Sequence, residues 1–281
     1  MIKIVFIIIV LILLYIFIYC MFSKDKIDDN TNEYDINDDG FTTFKNVLSK
    51  DEIKLLLEKS QNKDYKFIKN YIIQNKKIKK IYQKLLGDNY QFQDYIFVIK
   101  KSSIHTCHRD GNGDFFNKNQ KNPSYTIIFY LEDMEKSLGV IPKSHKDVKS
   151  FGINITNPVI NLTCKKGDII IFNANLLHLG AINDKDDHFR IQMKITNKDD
   201  IKAISFYENY NKILDEENKL PKSLRKFQRN LSCLFPFVSN LGQTTIQTTT
   251  QDDNNNNFIK KEYSYLFYGN EKVFNLPNLL V

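Results

Sequence analysis

The chain has 281 residues, a net charge of +7 and four cysteines that are dispersed along its length. No CxxC pair occurs, so a thiolate-rich structural zinc site is excluded, and the scattered cysteines neither require nor exclude an oxidising compartment. Basic residues cluster at residues 76–80 and 219–229. Solvated helix faces are the favoured interpretation of these clusters, with attraction to an anionic membrane or an acidic substrate as the alternative.

An uninterrupted apolar run occupies residues 4–22, which is long enough to span a bilayer as one helix. A cleaved signal peptide is the alternative, but the run is long for such a peptide and ends without a small-x-small cleavage site. We therefore predict an uncleaved transmembrane anchor at residues 1–22 of a single-pass membrane protein. The sequence does not decide the orientation of this anchor in the membrane, because basic residues lie on both sides of the run: Lys3 precedes it, and Lys24 and Lys26 follow it.

Three glycosylation sequons begin at Asn154, Asn161 and Asn230. A chain this rich in Asn, Ser and Thr yields about that many by chance. The sequons therefore do not decide the side of the membrane.

Composition divides the rest of the chain into four parts. Residues 23–39 are polar, acidic and aperiodic, as expected of a flexible linker. Residues 40–242 suit one domain with a sizeable core. Residues 243–257 form a low-complexity stretch that predicts a disordered loop. Residues 258–281 regain aromatic side chains and are expected to pack back on the domain.

The domain begins with helical patterns and continues with strand patterns. Apolar residues recur at helical spacing over residues 45–86, where Ser49 and Glu52 form a capping box. Short apolar or alternating segments over residues 92–196 indicate strands. Two further helices are predicted at residues 206–214 and 222–230. This order gives an α+β fold with a double-stranded β-helix, or jelly-roll, core behind flanking N-terminal helices.

His108 and Asp110 stand two residues apart, a spacing that places both side chains on the same face of a strand. His178 follows the apolar run at residues 167–172, which predicts a buried strand that delivers this histidine to the same pocket. Two histidines and one carboxylate on one face leave metal positions open, as in non-haem Fe(II) oxygenases. A single His-x-Asp motif is a weak signal by itself. The prediction depends on the order in which His108, Asp110 and His178 follow one another.

Arg190 lies in the alternating segment at residues 188–195. Arg190, Gln192 and Lys194 share one face of the predicted strand, and the residues between them are apolar. A cation that points into a barrel needs an anionic partner. A guanidinium can hold a carboxylate by two parallel hydrogen bonds, so Arg190 is the candidate anchor for an acidic cosubstrate.

The chain resembles the phytanoyl-CoA dioxygenase family of Fe(II)- and 2-oxoglutarate-dependent oxygenases over roughly residues 40–196. The resembling segments, in order, are GFTTFKNVLS at 40–49, QDYIFVIKK at 93–101, IIFYLEDM at 127–134, GVIPKSHK at 139–146 and GDIIIF at 167–172, with the His108, Asp110, His178 and Arg190 positions among them. The chain departs from the family pattern at Lys143, where a glycine is usual, and at Gly180, where a small hydroxyl residue is frequent. These departures affect the expected shape of the pocket and remove no metal ligand.

The resemblance implies Fe(II), 2-oxoglutarate and dioxygen as cofactor and cosubstrates, with His108, Asp110 and His178 as catalytic metal ligands. It also implies a cupin-like fold, and it places Gln93 and Lys100, or alternatively Lys101, near the cosubstrate beside Arg190. Because relatives that halogenate lack the carboxylate, Asp110 favours hydroxylation. The expected function is a membrane-anchored dioxygenase that hydroxylates a small-molecule or lipid-derived substrate.

Two other functional classes stay open. One is a hydroxylase of protein side chains, of the lysyl or prolyl type. The other is a catalytically silent jelly-roll binding module, which the intact ligand set disfavours. A nucleic-acid partner is disfavoured because Thr196 stands where nucleic-acid demethylases carry a second arginine. The sequence indicates nothing about oligomeric state.

Overall fold

A computed structural model describes residues 2–23, 26–28, 33–101, 104–117, 119–147, 154, 158–183, 187–215 and 220–236. The helices are α1 (Ile2–Phe22), α2 (Lys50–Gln61), α3 (Tyr65–Gln74), α4 (Lys76–Leu86) and α5 (Lys222–Leu234). The strands are β1 (Lys26–Asp28), β2 (Phe41–Phe44), β3 (Tyr90–Phe92), β4 (Tyr95–Lys101), β5 (Tyr125–Tyr130), β6 (Met134–Val140), β7 (Ile160–Cys164), β8 (Ile169–Asn173), β9 (His178–Gly180), β10 (Arg190–Asn197) and β11 (Tyr210–Asp215). Short 3-10 helices occupy Ser144–Lys146 and Lys198–Tyr207.

The strands form two facing sheets. The larger sheet has the order β11-β4-β10-β5-β8-β2, with β3 paired to the end of β10, and the smaller sheet has the order β1-β7-β6-β9. His108 forms an isolated antiparallel bridge with His178, which extends the smaller sheet beyond β9. In the central region the chain passes from β5 in the larger sheet to β6 and β7 in the smaller one, and then through β8, β9 and β10 in alternation. The described residues therefore form the two-sheet arrangement expected of the predicted jelly-roll core.

The larger sheet has a different partner on each face. Ile191, Met193 and Ile195 of β10 are buried in an apolar layer with the helices α2 to α4. Ile128 and Tyr130 of β5 face the opposite way, into the space between the two sheets. Directly paired residues in antiparallel strands project from the same face. The register therefore places Arg190, which pairs with Tyr130, on the face that looks into the jelly roll.

The N-terminal helices begin as the sequence predicts. Ser49 caps α2, with the Ser49 hydroxyl accepting from the Glu52 backbone N–H at 3.2 Å and the Glu52 carboxylate accepting from the Ser49 N–H at 2.8 Å. Asn75 ends α3 and caps α4. Because these caps satisfy the first free N–H groups of each helix, the helices stop and restart at defined residues and cover one face of the sheet.

The structure departs from the sequence predictions at two places. Part of the expected linker at residues 23–39 is ordered, since β1 pairs in parallel with the edge strand β7 and Ile36 is buried. The helix expected at residues 206–214 is wrong, because most of this segment forms β11, which pairs in parallel with β4. The sequence of β11, YNKILD, lacks the strict alternation of polar and apolar residues that indicates a strand, so its local pattern did not predict one. The regions 243–257 and 258–281 lie outside the described residues.

The helix α1 is long and apolar enough, over Lys3–Phe22, to cross a membrane. Its side chains are largely exposed within the described structure, and α5 is the element it packs against. The predicted helix at residues 222–230 is confirmed as α5.

Candidate metal centre

His108 and His178 are brought side by side by backbone pairing. The His108 N–H donates to the His178 carbonyl at 2.9 Å, and the His178 N–H donates to the His108 carbonyl at 3.0 Å. Their ring centroids lie 4.4 Å apart. A bridge of this kind projects both side chains from the same face of the smaller sheet, toward the interior of the jelly roll.

Asp110 reaches the same point because the chain continues past His108 in extended form. The Asp110 N–H donates to the Ala174 carbonyl at 2.9 Å, which ties this segment to the turn before β9. Asp110 Oδ1 lies 3.6 Å from His178 Nε2. The intervening Arg109 points the opposite way, as the two-residue alternation predicts.

Lys194 and Thr126 hold the second oxygen of Asp110. Lys194 Nζ lies 2.6 Å from Asp110 Oδ2 and 2.9 Å from Thr126 Oγ1. The Thr126 hydroxyl also donates to Asp110 Oδ2. With Oδ2 held by these two donors, Oδ1 is the oxygen directed toward the histidines.

The electrostatics of the site keep all three side chains in the protonation state that binds a metal. Burial, together with the neighbouring His108, lowers the pKa of His178 to about 3. The pKa of His108 is lowered as well, chiefly by burial. Burial alone would raise the pKa of Asp110, but Lys194, His178 and His108 together outweigh this effect and hold the pKa well below its usual range. At neutral pH the site therefore presents two neutral imidazoles and one carboxylate.

Backbone carbonyls fix the orientation of both imidazoles. His108 Nδ1 lies 2.9 Å from the Thr106 carbonyl, and His178 Nδ1 lies 2.9 Å from the Leu176 carbonyl. A carbonyl can only accept, so each Nδ1 carries the proton and each Nε2 keeps its lone pair. Ligating histidines in metalloproteins are held in this way.

These observations establish that the donor set fits a metal ion. Ligand atoms of His108, Asp110 and His178 all lie within 4.8 Å of one another. Imidazole and carboxylate ligands suit iron and similar first-row metals, and three such ligands leave positions for exogenous groups. The structure thus brings together the three ligands that the sequence proposes.

Arg190 lies on the same inner face of β10 as Lys194. Arg190 is 5% exposed, and its guanidinium donates to the His188 carbonyl at 3.1 Å. Tyr130, its partner on β5, is fully buried, and burial raises the pKa of this phenol, so Tyr130 stays a neutral donor. The four-residue offset between Arg190 and Lys194 corresponds to about 13 Å along a strand.

Gln93 and Lys100, the other two predicted cosubstrate residues, lie in different surroundings. Gln93 is buried, and its backbone N–H donates to the Lys194 carbonyl, while its side-chain Nε2 donates to the Ile204 carbonyl at 3.4 Å. Lys100 Nζ lies 3.6 Å from an oxygen of Asp187 and 5.8 Å from the centroid of the Phe189 ring. Because Phe189 belongs to the helix-side layer, the structure places Lys100 on the face opposite Arg190 and does not bring it to the metal ligands.

Sequence reasoning missed the supporting residues of the site. It placed Lys194 on the correct face but assigned it no contact with Asp110, and it did not consider Thr126 or Arg109. Arg109 is fully buried and donates to the carbonyls of Ser144, Asn175 and Asp147. The signal available in the sequence was the position of Arg109, a charged residue that lies between two proposed ligands.

No protein-family model matches the chain, and no curated protein matches it. The resemblance to phytanoyl-CoA dioxygenases therefore stays a prediction. Similar solved structures include the α-ketoglutarate-dependent non-haem epimerase SnoN from nogalamycin biosynthesis, with 13% identity, a TM-score of 0.49 and coverage of 58% of this chain and 79% of that one. The α-ketoglutarate-dependent carbocyclase SnoK from the same biosynthesis gives 14% identity, a TM-score of 0.48 and coverage of 58% and 81%.

A third similar structure is HygX from Streptomyces hygroscopicus, solved with nickel, 2-oxoglutarate and hygromycin B. It shares 11% identity, with a TM-score of 0.42 and coverage of 58% of this chain and 84% of that one. At these identities and TM-scores, neither ligand nor reaction carries over from these proteins. The chemistry proposed for this chain rests on its own side chains.

Proposed function

We propose that the protein is an Fe(II)- and 2-oxoglutarate-dependent dioxygenase. The observation that carries this proposal is the convergence of His108, Asp110 and His178, with both imidazoles neutral and oriented by backbone carbonyls. A two-histidine, one-carboxylate set with open positions is the ligand arrangement of non-haem Fe(II) oxygenases. When bound, Fe(II) with 2-oxoglutarate and dioxygen supplies the oxidising power for hydroxylation, and the cosubstrate leaves as succinate and carbon dioxide.

Neighbouring side chains orient Asp110 and balance its negative charge. Thr126 and Lys194 hold Asp110 Oδ2, so the carboxylate offers Oδ1 to the ion. The Lys194 ammonium also compensates the buried carboxylate, which would otherwise be costly in a site closed to water. This fixed geometry lowers the cost of reorganisation when ligands bind.

Arg190 is the proposed anchor of the distal carboxylate of 2-oxoglutarate. It is buried on the same sheet face as Lys194, and the neutral phenol of Tyr130 lies opposite it as a second donor. A five-carbon dicarboxylate and an arginine side chain together span the roughly 13 Å along β10 between Arg190 and Lys194. The positive charges of Lys194, Arg190 and the metal ion favour a dianionic cosubstrate. The role of Gln93 near the cosubstrate stays a prediction.

We infer hydroxylation of a small-molecule or lipid-derived substrate as the reaction. Asp110 occupies the position that a halide would need, which favours hydroxylation over halogenation. The apolar helix α1 is proposed to anchor the protein in a membrane, where a lipid-derived substrate is concentrated. A protein side chain is the alternative substrate.

The ligand assignment is tested by metal binding, which does not depend on a known substrate. Mn(II), which resists oxidation, should bind the full chain, and His108→Ala and Asp110→Ala should each lose this binding as followed by calorimetry. His105→Gln is the matched control, because His105 is a buried histidine that bonds Gln228 instead of facing the ligands. Mn(II) affinity that is unchanged in the Asp110→Ala chain contradicts the assignment.

The cosubstrate assignment is tested separately with Arg190→Met. Affinity of the Mn(II)-loaded protein for 2-oxoglutarate should fall roughly 10- to 100-fold, because the charged hydrogen bonds to one carboxylate are lost. Affinity for Mn(II) should be unchanged. The substrate class is then found by measuring succinate release from the Fe(II)-loaded enzyme with separated small-molecule, lipid and protein fractions, and stimulation by the protein fraction alone would favour the alternative.

A further inference from the structure

The helix α5 packs against the segment that leads into the metal ligands. His105 Nε2 lies 2.8 Å from Gln228 Oε1, and the Cys107 N–H donates to Ser232 Oγ at 2.8 Å. The Ser232 hydroxyl donates in turn to the Arg229 carbonyl at 2.7 Å. Because Gln228 and Ser232 are four residues apart on the helix, the same face of α5 makes both contacts. The last turn of α5 is therefore held beside Cys107.

This packing brings two cysteine side chains together. Cys107 and Cys233 belong to one apolar cluster with Ile141, Leu177 and Leu179. Cys107 is completely buried, Cys233 is 7% exposed, and both are thiols. A hydrogen bond between the two thiols, together with burial, raises the pKa of Cys107. The two sulfur atoms are therefore in direct contact, which is the geometric requirement for a disulfide.

The other two cysteines have different surroundings. Cys164 lies in the apolar cluster between the two sheets, where the Ser137 hydroxyl donates to Cys164 Sγ at 3.3 Å. Cys20 lies near the end of α1, and its carbonyl accepts a hydrogen bond from Asn230 of α5 at 2.8 Å. Cys20 is therefore the competing partner of Cys233, whereas Cys164 belongs to a separate part of the core.

Cys107 occupies a position between the metal ligands and α5. It directly precedes His108, whose backbone is bridged to His178 by two hydrogen bonds. On its other side α5 packs on α1, where the ring centroids of Phe227 and Phe17 lie 5.7 Å apart. A covalent bond between Cys107 and α5 would connect the ligand segment to the helix that packs on α1.

We propose that Cys107 and Cys233 form a reversible disulfide, with a small organic disulfide such as oxidised glutathione as the oxidant. Cys233, the more exposed thiol, attacks one sulfur of the reagent, so that a mixed disulfide forms and one thiol of the reagent leaves. Cys107 then attacks Cys233 Sγ and releases the second thiol. Two protein S–H bonds are broken and one S–S bond is formed. The reagent gains two electrons, and its two thiols carry the two protons.

This disulfide weakens metal binding. Bonded sulfur atoms lie about 2.05 Å apart, which is closer than two thiols in contact, so bond formation draws Cys107 toward α5. A rigid peptide plane joins Cys107 to His108, and their side chains project to opposite sides of the segment. The movement therefore draws the His108 imidazole away from the ion. This consequence rests on the metal site proposed above.

The pair is tested on the metal-free full chain with oxidised glutathione. The number of thiols counted after unfolding should fall from the four of the sequence to two. Peptide mapping by mass spectrometry should find Cys107 linked to Cys233, and dithiothreitol should restore all the thiols. A link between Cys20 and Cys233, or no link within the chain, overturns the proposal.

The effect on the metal site is measured by calorimetry after the reagent has been removed. Affinity for Mn(II) should be roughly tenfold lower in the oxidised chain, as for the loss of a contact that supports a ligand, and it should recover on reduction. Cys233→Ser should bind Mn(II) like the reduced wild type and should not respond to the oxidant. Cys20→Ser and Cys164→Ser are the matched controls, and both should keep the response. Equal affinity in the reduced and the disulfide-linked chains overturns the coupling to the metal.

The disulfide and the metal site fail in distinguishable ways. If the reduced chain does not bind Mn(II), the metal assignment is contradicted, whereas the peptide map needs no metal and still decides whether Cys107 pairs with Cys233. If Cys233→Ser does not fold, the comparison of oxidised and reduced wild-type chains carries the test by itself.

Discussion

Lys194 is the buried cation that balances Asp110. Its ammonium is 2.6 Å from the carboxylate, and both side chains are almost completely removed from water. A buried pair of this kind contributes little net stability compared with apolar residues, but removal of one partner leaves the other charge uncompensated. The pair therefore serves the site, where it keeps Asp110 ionised and oriented.

Replacing Lys194 by Met should destabilise the metal-free protein by about 3–5 kcal/mol, because the Asp110 carboxylate loses its counter-charge. Urea unfolding in the presence of a chelator measures this loss. Adding Asp110→Asn in the same chain should recover most of it, since the uncompensated charge is then removed. If Lys194→Met is as stable as the wild type without metal, the charge balance assigned to this pair is wrong.

The lowered pKa values of His108 and His178 predict an acid sensitivity of the metal-free protein. The folded state favours the neutral imidazoles, whereas the unfolded chain binds protons below a pH of about 6.5. The stability that these groups contribute is complete above that pH and decreases as the pH falls below it, by up to about 1.4 kcal/mol per unit for each histidine. The lowered pKa of Asp110 also makes the folded protein less stable as the pH falls, but only below about pH 3.9.

Urea midpoints between pH 7 and pH 5 test this expectation. The wild-type protein should lose stability over this range, and a chain with His108→Asn and His178→Asn should lose clearly less. Parallel pH profiles for the two proteins would mean that the histidines are not held neutral by burial.

At the scale of elements, Arg109 connects three segments around the metal ligands. It donates to carbonyls of the 3-10 turn at Ser144 and Asp147 and of the β8–β9 turn at Asn175, and its guanidinium stacks 5.0 Å from the Phe115 ring centroid. Burial lowers the pKa of Arg109 to about 10, which leaves it charged at neutral pH. Because these contacts are with backbone carbonyls and the Phe115 ring, we expect the effect of Arg109 on the metal to be positional.

Replacing Arg109 by Met should cost about 2–5 kcal/mol of stability, since several buried carbonyls lose a charged donor. It should also weaken Mn(II) binding, because the segment that carries His108 and Asp110 loses its side-chain ties to the 3-10 turn and to the β8–β9 turn. Calorimetry at a temperature where the variant stays folded measures the second effect. A destabilised Arg109→Met protein that binds Mn(II) with wild-type affinity would limit Arg109 to a role in stability.

At the scale of the whole molecule, the metal centre and the N-terminal helix are built from separate parts of the chain. No residue of α1 contributes to the His108, Asp110 and His178 cluster, and α5 is the element against which α1 chiefly packs in the described part of the chain. The anchor and the chemistry should therefore be separable.

Deleting residues 1–23 should leave the affinity for Mn(II) within about twofold of the full chain, as measured by calorimetry. The deletion exposes the apolar face of α5 around Phe227, so self-association should increase in size-exclusion chromatography. Phe227→Ser in the shortened chain should reduce this association. Loss of Mn(II) binding on deletion would show that α1 supports the site.

Sequence alone was sufficient where the physical signal is local. The alternation of a strand places His108 and Asp110 together, and the pairing of Ser49 with Glu52 marks the start of α2. The apolar run before residue 23 predicts a helix of membrane length, and α1 has that length. In each of these cases the signal lies in residues that are close together in the sequence. The structure supplies distances for these features and leaves their interpretation unchanged.

Only the tertiary structure decided the features that depend on register between distant strands. The contact of Lys194 with Asp110, the placement of Lys100 on the helix side of the sheet and the pairing of β11 with β4 follow from the register. The burial of Asn161 likewise follows from its contacts with Lys26 and Arg229. A shift of one residue in strand pairing moves every side chain to the other face. Such contacts are set by the packing of the whole domain, and no local pattern in the sequence encodes them.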